Sequence, residues 1–198
     1  MEGEQTKSIV YKALNKVVRK KAIKEHVKEK EKNKKRVEAE NWTFDVEYYA
    51  HEKQLNMIQE IVANNCNYTD NVSKIAVQQI HRKIYGYKQQ DLIKKLFKEC
   101  EFITFDSIVH KMIECQLKCY YCSTEMSVLY DVSREMKQWT VDRIDNDLGH
   151  NITNYYLACL ECNLKRRRRS DDKFLFTKQL KIIKTDSTNK INNDSLIE

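Results

Sequence analysis

Proline is absent from this 198-residue chain, and glycine occurs only as Gly3, Gly86 and Gly149. Sandwiches and barrels joined by many tight hairpins need far more turn residues, so they are excluded. A loop that cradles nucleotide phosphates needs clustered glycines and is excluded too. No apolar run reaches the length of about 18 residues that a membrane span requires. The opening Met1-Glu2-Gly3-Glu4 carries acid and lacks the apolar core of a secretory signal. The expected location is therefore intracellular, in the cytoplasm or nucleus of a host cell or associated with a virus. What remains is a chain free to be helical over long stretches, with one irregular region around Gly149.

The 36 Lys+Arg and 29 Asp+Glu are unevenly spread. A mildly acidic middle lies between two basic ends, the second carrying the run Lys165-Arg166-Arg167-Arg168-Arg169. Basic clusters favour polyanions through phosphate contacts and counterion release. The N-terminal basic stretch reads equally well as a set of solvated helix faces.

Seven cysteines are present, and four form the pairs Cys119-Tyr-Tyr-Cys122 and Cys159-Leu-Glu-Cys162. Without a secretory signal, two C-x-x-C pairs read as a four-thiolate zinc site in preference to disulfides. Cys66, Cys100 and Cys115 read as small buried apolar residues, with Cys115 close enough to the first pair to be a rival ligand.

The apolar spacing predicts a helix from Thr6 to about Glu40, then helices at Asp45–Ala63, Ser73–Tyr85 (ended near Gly86), Gln90–Phe97 and Phe105–Gln116. His81 and His110 fall within them as packing or surface residues. Extended pieces are expected at Ser127–Tyr130, Gln138–Val141 and Asn154–Ala158, with a polar loop between the last two. Helix follows from Cys162 to Arg169 and from Asp172 to Ile183. The domains are then 1–41, a long basic helical segment; 42–117, a small helical bundle; 118–184, a zinc module with a basic helix; and 185–198, a disordered tail.

The segment from Trp139 to Lys165 runs strand, polar loop, strand, cysteine pair and basic helix. That order places Asp142 and Asn163 where both could reach one divalent ion, and oxygen ligands of this kind suit Mg²⁺ or Mn²⁺. Over roughly Cys119 to Arg169, about a quarter of the chain, the sequence resembles the HNH endonucleases (ββα-metal, or His-Me finger, nucleases), closest to those of phages and large DNA viruses. The motif residues are Asp142-Arg143-Ile144-Asp145-Asn146, Gly149-His150, Asn154 and Cys159-x-x-Cys162-Asn163. The resemblance implies an α+β fold, mostly α-helical, with N-terminal helices followed by a zinc-stabilised, treble-clef-like ββα-metal module. It implies structural zinc on Cys119, Cys122, Cys159 and Cys162, a catalytic Mg²⁺ or Mn²⁺ on Asp142 and Asn163, and Asn154 fixing the loop. The implied activity is metal-dependent hydrolysis of DNA phosphodiester bonds, with homing or viral genome processing among the roles that fit.

One departure is serious. The family's general-base histidine follows the metal-binding acid, and Arg143 stands there instead. Arginine stays protonated and cannot be a base. Three accounts are open: His150 acts from the loop, which the reading favours because neutral imidazole is available near pH 7; Asp145 takes the role; or the metal activates water while Arg143 clamps the phosphate. Lys165 to Arg169 would grip backbone phosphates, and the same run could serve as a nuclear localisation signal. The competing function is a zinc-binding DNA adaptor or transcription-associated factor without catalysis.

Overall fold

The structure is a computed structural model that describes residues 34–63 and 70–180. The expected helix over the first 33 residues, the turn over 64–69 and the tail over 185–198 lie outside these ranges. Among the described residues the fold is α+β: five α-helices, two 3₁₀ turns (Val37–Asn41 and Val46–Tyr49) and one two-stranded sheet. None of these helices is long and apolar enough to cross a membrane.

Helix α1 (His51–Ala63) buries Met57, Ile58 and Ile61 at helical spacing. Gln54, also buried, accepts from the backbone N–H of Val128 and Leu129 and donates to the carbonyls of Tyr49 and Leu129. The amide therefore takes the backbone groups that a partner strand would have used. Ser127–Tyr130 accordingly forms no named strand, only a bridge from Ser127 to Gln138.

Helix α2 (Asn71–Lys94) starts at Asp70, whose side chain accepts from the Ser73 N–H, and stops at Lys95 in the left-handed conformation. It runs unbroken through Gly86, so the two helices expected around that residue are one. A single helical glycine costs only about 1 kcal/mol relative to alanine, and side chains on the next turns anchor the helix to the sheet. Helix α3 (Phe105–Glu114) opens with a capping box between Thr104 and Ser107.

Strands β1 (Trp139–Arg143) and β2 (Tyr155–Cys159) pair antiparallel, Asp142 opposite Tyr156 and Trp139 opposite Cys159. Helix α4 (Leu160–Arg166) follows β2 directly, and α5 (Asp171–Gln179) closes the described chain. The helix expected through Arg169 stops at Arg166, because Arg167 takes a positive φ of 56°. The expected helix through Glu40 is likewise corrected over 34–41. There Lys35 bridges to Val132, and the Arg36 guanidinium donates to the Tyr130 carbonyl and to Gln79.

One apolar cluster joins α1, α2 and α3 to Trp139, Val141, Leu157 and Phe174, so the helical part and the ββα unit share a core. The unpaired edge of β1 faces α2. Lys83 donates to the Trp139 carbonyl, and Val141 N–H donates to the Tyr87 hydroxyl. Four residues further along α2, Asp91 holds the loop after β1. Gln79, Lys83, Tyr87 and Asp91 thus make a polar stripe at i, i+4 spacing, and Lys83 and Tyr87 cover a strand edge that would otherwise invite foreign pairing.

Candidate metal centre and nucleic-acid interface

Cys119 and Cys122 sit on a tight knuckle in which Cys119 N–H donates to Thr124 O and Ser123 N–H to Cys119 O. Cys159 ends β2, and Cys162 lies in the first turn of α4 with its N–H directed at the Cys159 sulfur, 3.4 Å away. The four Sγ atoms all lie within 4.8 Å of one another, and Cys122 and Cys159 are 3.8 Å apart. Tetrahedral thiolates at the usual Zn–S length of about 2.3 Å would be about 3.8 Å apart, so the cluster fits a metal ion such as zinc. The sulfurs cannot all ionise alone. Hydrogen bonds from Cys159 and Cys162 hold Cys119 well below the ordinary thiol value, and the same contact pushes Cys159 up to about 12. A divalent cation would remove that conflict. Cys115 stands outside the cluster and points at Met112 O. Cys100 is exposed, contrary to its expected burial.

Helix α4 is fastened to β1 by two polar contacts one turn apart. Asn163 Nδ2 donates to Thr140 Oγ1 at 3.1 Å and to Val141 O at 3.2 Å. Arg166 donates to Asp142 Oδ1 at 3.0 Å and to Ile144 O at 2.7 Å. Thr140 and Asp142 share one face of the strand, and Asn163 and Arg166 one face of the helix, so the contacts follow from the two repeats. Tyr121 donates to the other Asp142 oxygen at 2.7 Å. Burial raises the Asp142 carboxyl above its ordinary value despite both donors.

Asp142 and Asn163 lie on the packed elements β1 and α4, but their side chains engage different partners: Asn163 bonds Thr140 and Val141 O, and Asp142 bonds Tyr121 and Arg166. In this arrangement they do not fit a divalent ion. Both Asp142 oxygens already accept from donors, and the Arg166 guanidinium occupies the cation's place beside them. Arg166 is also a correction. It was expected to grip phosphate from the surface, yet it is fully buried. Lys165 stays exposed and pairs with Glu161, and Arg167, Arg168 and Arg169 are exposed.

The loop after β1 is organised by Asn154. Its Oδ1 accepts from Asp145 N–H, and its Nδ2 donates to the carbonyls of Asp145 and Gly149. Asp145, at the surface, accepts from Asp147 N–H. Arg143 reaches across the loop to the carbonyls of Asn146 and Leu148. His150 lies inside the fold: its ring stacks on Tyr87, centroids 4.6 Å apart, and Nδ1 meets Asp91 Oδ1 at 2.7 Å. Burial lowers the His150 ring below its ordinary value, outweighing the attraction of Asp91, with Arg143 and Lys94 acting in the same direction as burial. Its backbone N–H also goes to Asp91. Gly149 makes this possible: a Cβ there would stand 2.6 Å from Leu96 O and 2.9 Å from Asp91 Oδ2.

Beside this loop opens a cleft of about 550 Å³, lined by Lys94, Leu96, Arg143, Asn146, Asp147, Arg167 and Arg168. Among the described residues, Arg168 is the one cation of the cleft with a carboxylate partner, Asp147 at 2.9 Å. The side chains come from α2, β1, the loop and the turn after α4. The residues the sequence reading missed are Lys94, Tyr87 and Asp91. The first joins the cleft and the other two hold its wall. The signal for Tyr87 and Asp91 is the i, i+4 stripe on α2, hidden once the helix is divided at Gly86.

Compared with known protein families, curated proteins and solved structures, the chain matches none.

Proposed function

We propose that this chain is a DNA-binding protein in which a zinc-clasped ββα unit presents a cationic cleft to the sugar-phosphate backbone. The observation that carries the reading is the cleft itself: Lys94, Arg143, Arg167 and Arg168 converge from separate elements and face a single acid. Such an arrangement binds phosphates without reading bases. Zinc on the four cysteines would hold the knuckle, β2 and α4 together. The orientation of α4 sets where Arg167 and Arg168 emerge.

Hydrolysis is the second reading, and two observations favour it. Asp142 and Asn163 lie on facing elements in the order the HNH resemblance calls for. The Asp91 contact leaves the other His150 nitrogen as the one a base would use, on a ring that burial keeps neutral near pH 7. Against it stand the Arg166–Asp142 pair and the burial of His150.

The experiment measures duplex DNA binding by fluorescence anisotropy and, on the same protein, nicking of supercoiled plasmid with Mg²⁺ or Mn²⁺. Salt-sensitive binding without metal-dependent nicking supports the first reading. Nicking that is lost in Asn163→Ala supports hydrolysis, and its survival in His150→Ala would remove His150 as the base. Absence of binding defeats both.

A further inference from the structure

A second cationic pocket lies on the other half of α2, away from the Arg143 cleft. It encloses about 520 Å³, and its lining includes Lys34, Lys35, Arg36, Arg82, Lys83 and Tyr130. Its single acid, Glu38, is already engaged by Arg82 and lies 3.7 Å from Arg36. We propose that this pocket is a phosphate-binding site.

The charge balance is the reason. Buried cations are ordinarily paired. Lys83 is half-buried, and among the described residues it pairs with no carboxylate. Its ammonium donates to Gln138 Oε1 at 2.9 Å and to the Trp139 carbonyl, leaving one of its three N–H groups unassigned. It rests over the rings of Trp139 at 4.7 Å and Tyr130 at 5.3 Å. The Arg36 guanidinium lies 4.3 Å from that same Tyr130 ring. Two cations therefore share one aromatic ring. Burial, and then the Arg36 charge, push the Lys83 amine well below its ordinary value.

An anion in the pocket would meet the free Lys83 donor and the exposed Lys34 and Lys35. A tetrahedral oxyanion suits this lining, because several donors approach from different elements. The volume suits a phosphate ester up to the size of a nucleotide. A free phosphate ester and a nucleic-acid backbone present the same group.

The test uses the full zinc-loaded chain carrying Arg167→Gln and Arg168→Gln, so that the other cleft loses two of its four cations. Inorganic phosphate is titrated against chloride at constant ionic strength, with thermal unfolding and calorimetry as readouts. A saturable phosphate-specific rise in Tm is expected. Lys83→Met, which keeps the stem over Trp139, should weaken binding about tenfold or more, as loss of a charge-assisted hydrogen bond implies. The surface pair Lys34→Gln with Lys35→Gln should weaken it without altering the fold. A 5′-mononucleotide and a dinucleoside monophosphate then separate the sources: competition by the diester assigns the site to nucleic-acid backbone, and competition by the monoester alone to free phosphate esters. No phosphate-specific rise before these substitutions, or an equal rise in Lys83→Met, overturns the proposal.

Discussion

Replacing Arg166 with methionine would test whether the Asp142 site is built around a side-chain cation or left open for a metal. Arg166 is fully buried and bonds Asp142 Oδ1 and Ile144 O. Its removal leaves Asp142, itself 4% exposed, with the Tyr121 hydroxyl as sole remaining partner. Breaking a buried ion pair from one side costs about 3–5 kcal/mol. At ~2–4 °C per kcal/mol for a chain of this size, Tm should fall by roughly 10 °C. Adding Asp142→Asn keeps an acceptor for Tyr121 while removing the stranded charge. The double variant should therefore recover about 1–3 kcal/mol relative to additivity. Urea unfolding of the four proteins in the cycle measures this. A loss below about 1 kcal/mol in Arg166→Met, with no coupling to Asp142, would refute the pairing, since that is what an exposed ion pair gives. Manganese provides a second readout. If Mn²⁺ stabilises the parent, Asp142 accepts a metal beside the guanidinium and the hydrolytic reading gains; if it stabilises Arg166→Met alone, the guanidinium holds the cation's place.

The remaining predictions concern the cysteines, the loop and pH. Chelation, or Cys159→Ser, should release about one zinc per chain and lower the unfolding midpoint, read by metal analysis and near-UV circular dichroism; a metal-free parent with unchanged stability would contradict the zinc assignment. Gly149→Ala should cost about 1–3 kcal/mol, because its nearest obstacle is a backbone carbonyl that cannot turn aside, and an unchanged Tm would contradict that packing. His150 has a lowered folded-state pKa, so its neutral form contributes stability that is fully present above the unfolded value of about 6.5 and is lost as pH falls through the folded value. Asp142, raised by burial, works in the opposite sense at lower pH. Denaturant midpoints at pH 7.5 and pH 5.5 should therefore fall less in His150→Gln than in the parent, and an equal fall would contradict the assignment.

The parts legible in sequence were those encoded by short-range spacing. Two C-x-x-C pairs converge on one centre because the knuckle and the β2–α4 junction each bring two thiols together locally. The loop could be read because Asn154 acts within ten residues of the groups it fixes, Asp145 and Gly149. Long-range contacts were not legible. Nothing in the run of five cations marks Arg166 as different, yet it lies one helical turn after Asn163 and so points inward, while Arg167 begins after the helix has stopped. His150 looked available in a polar loop, because its partner Asp91 is 59 positions earlier. Gly86 looked like a helix end because local propensity was weighed without the sheet edge that α2 covers. The N-terminal pattern failed where Arg36 is drawn onto Tyr130 and Gln79.

The most direct test of the central claim is the salt dependence of duplex DNA binding by the parent and by Arg167→Gln with Arg168→Gln. Each phosphate contact contributes about 0.9 to the slope of log affinity against log salt. The account predicts weaker binding across unrelated sequences in the double variant and a slope reduced by between about 1 and 2. Unchanged affinity and slope would contradict it, because the cleft beside Arg143 would then not be where the backbone sits.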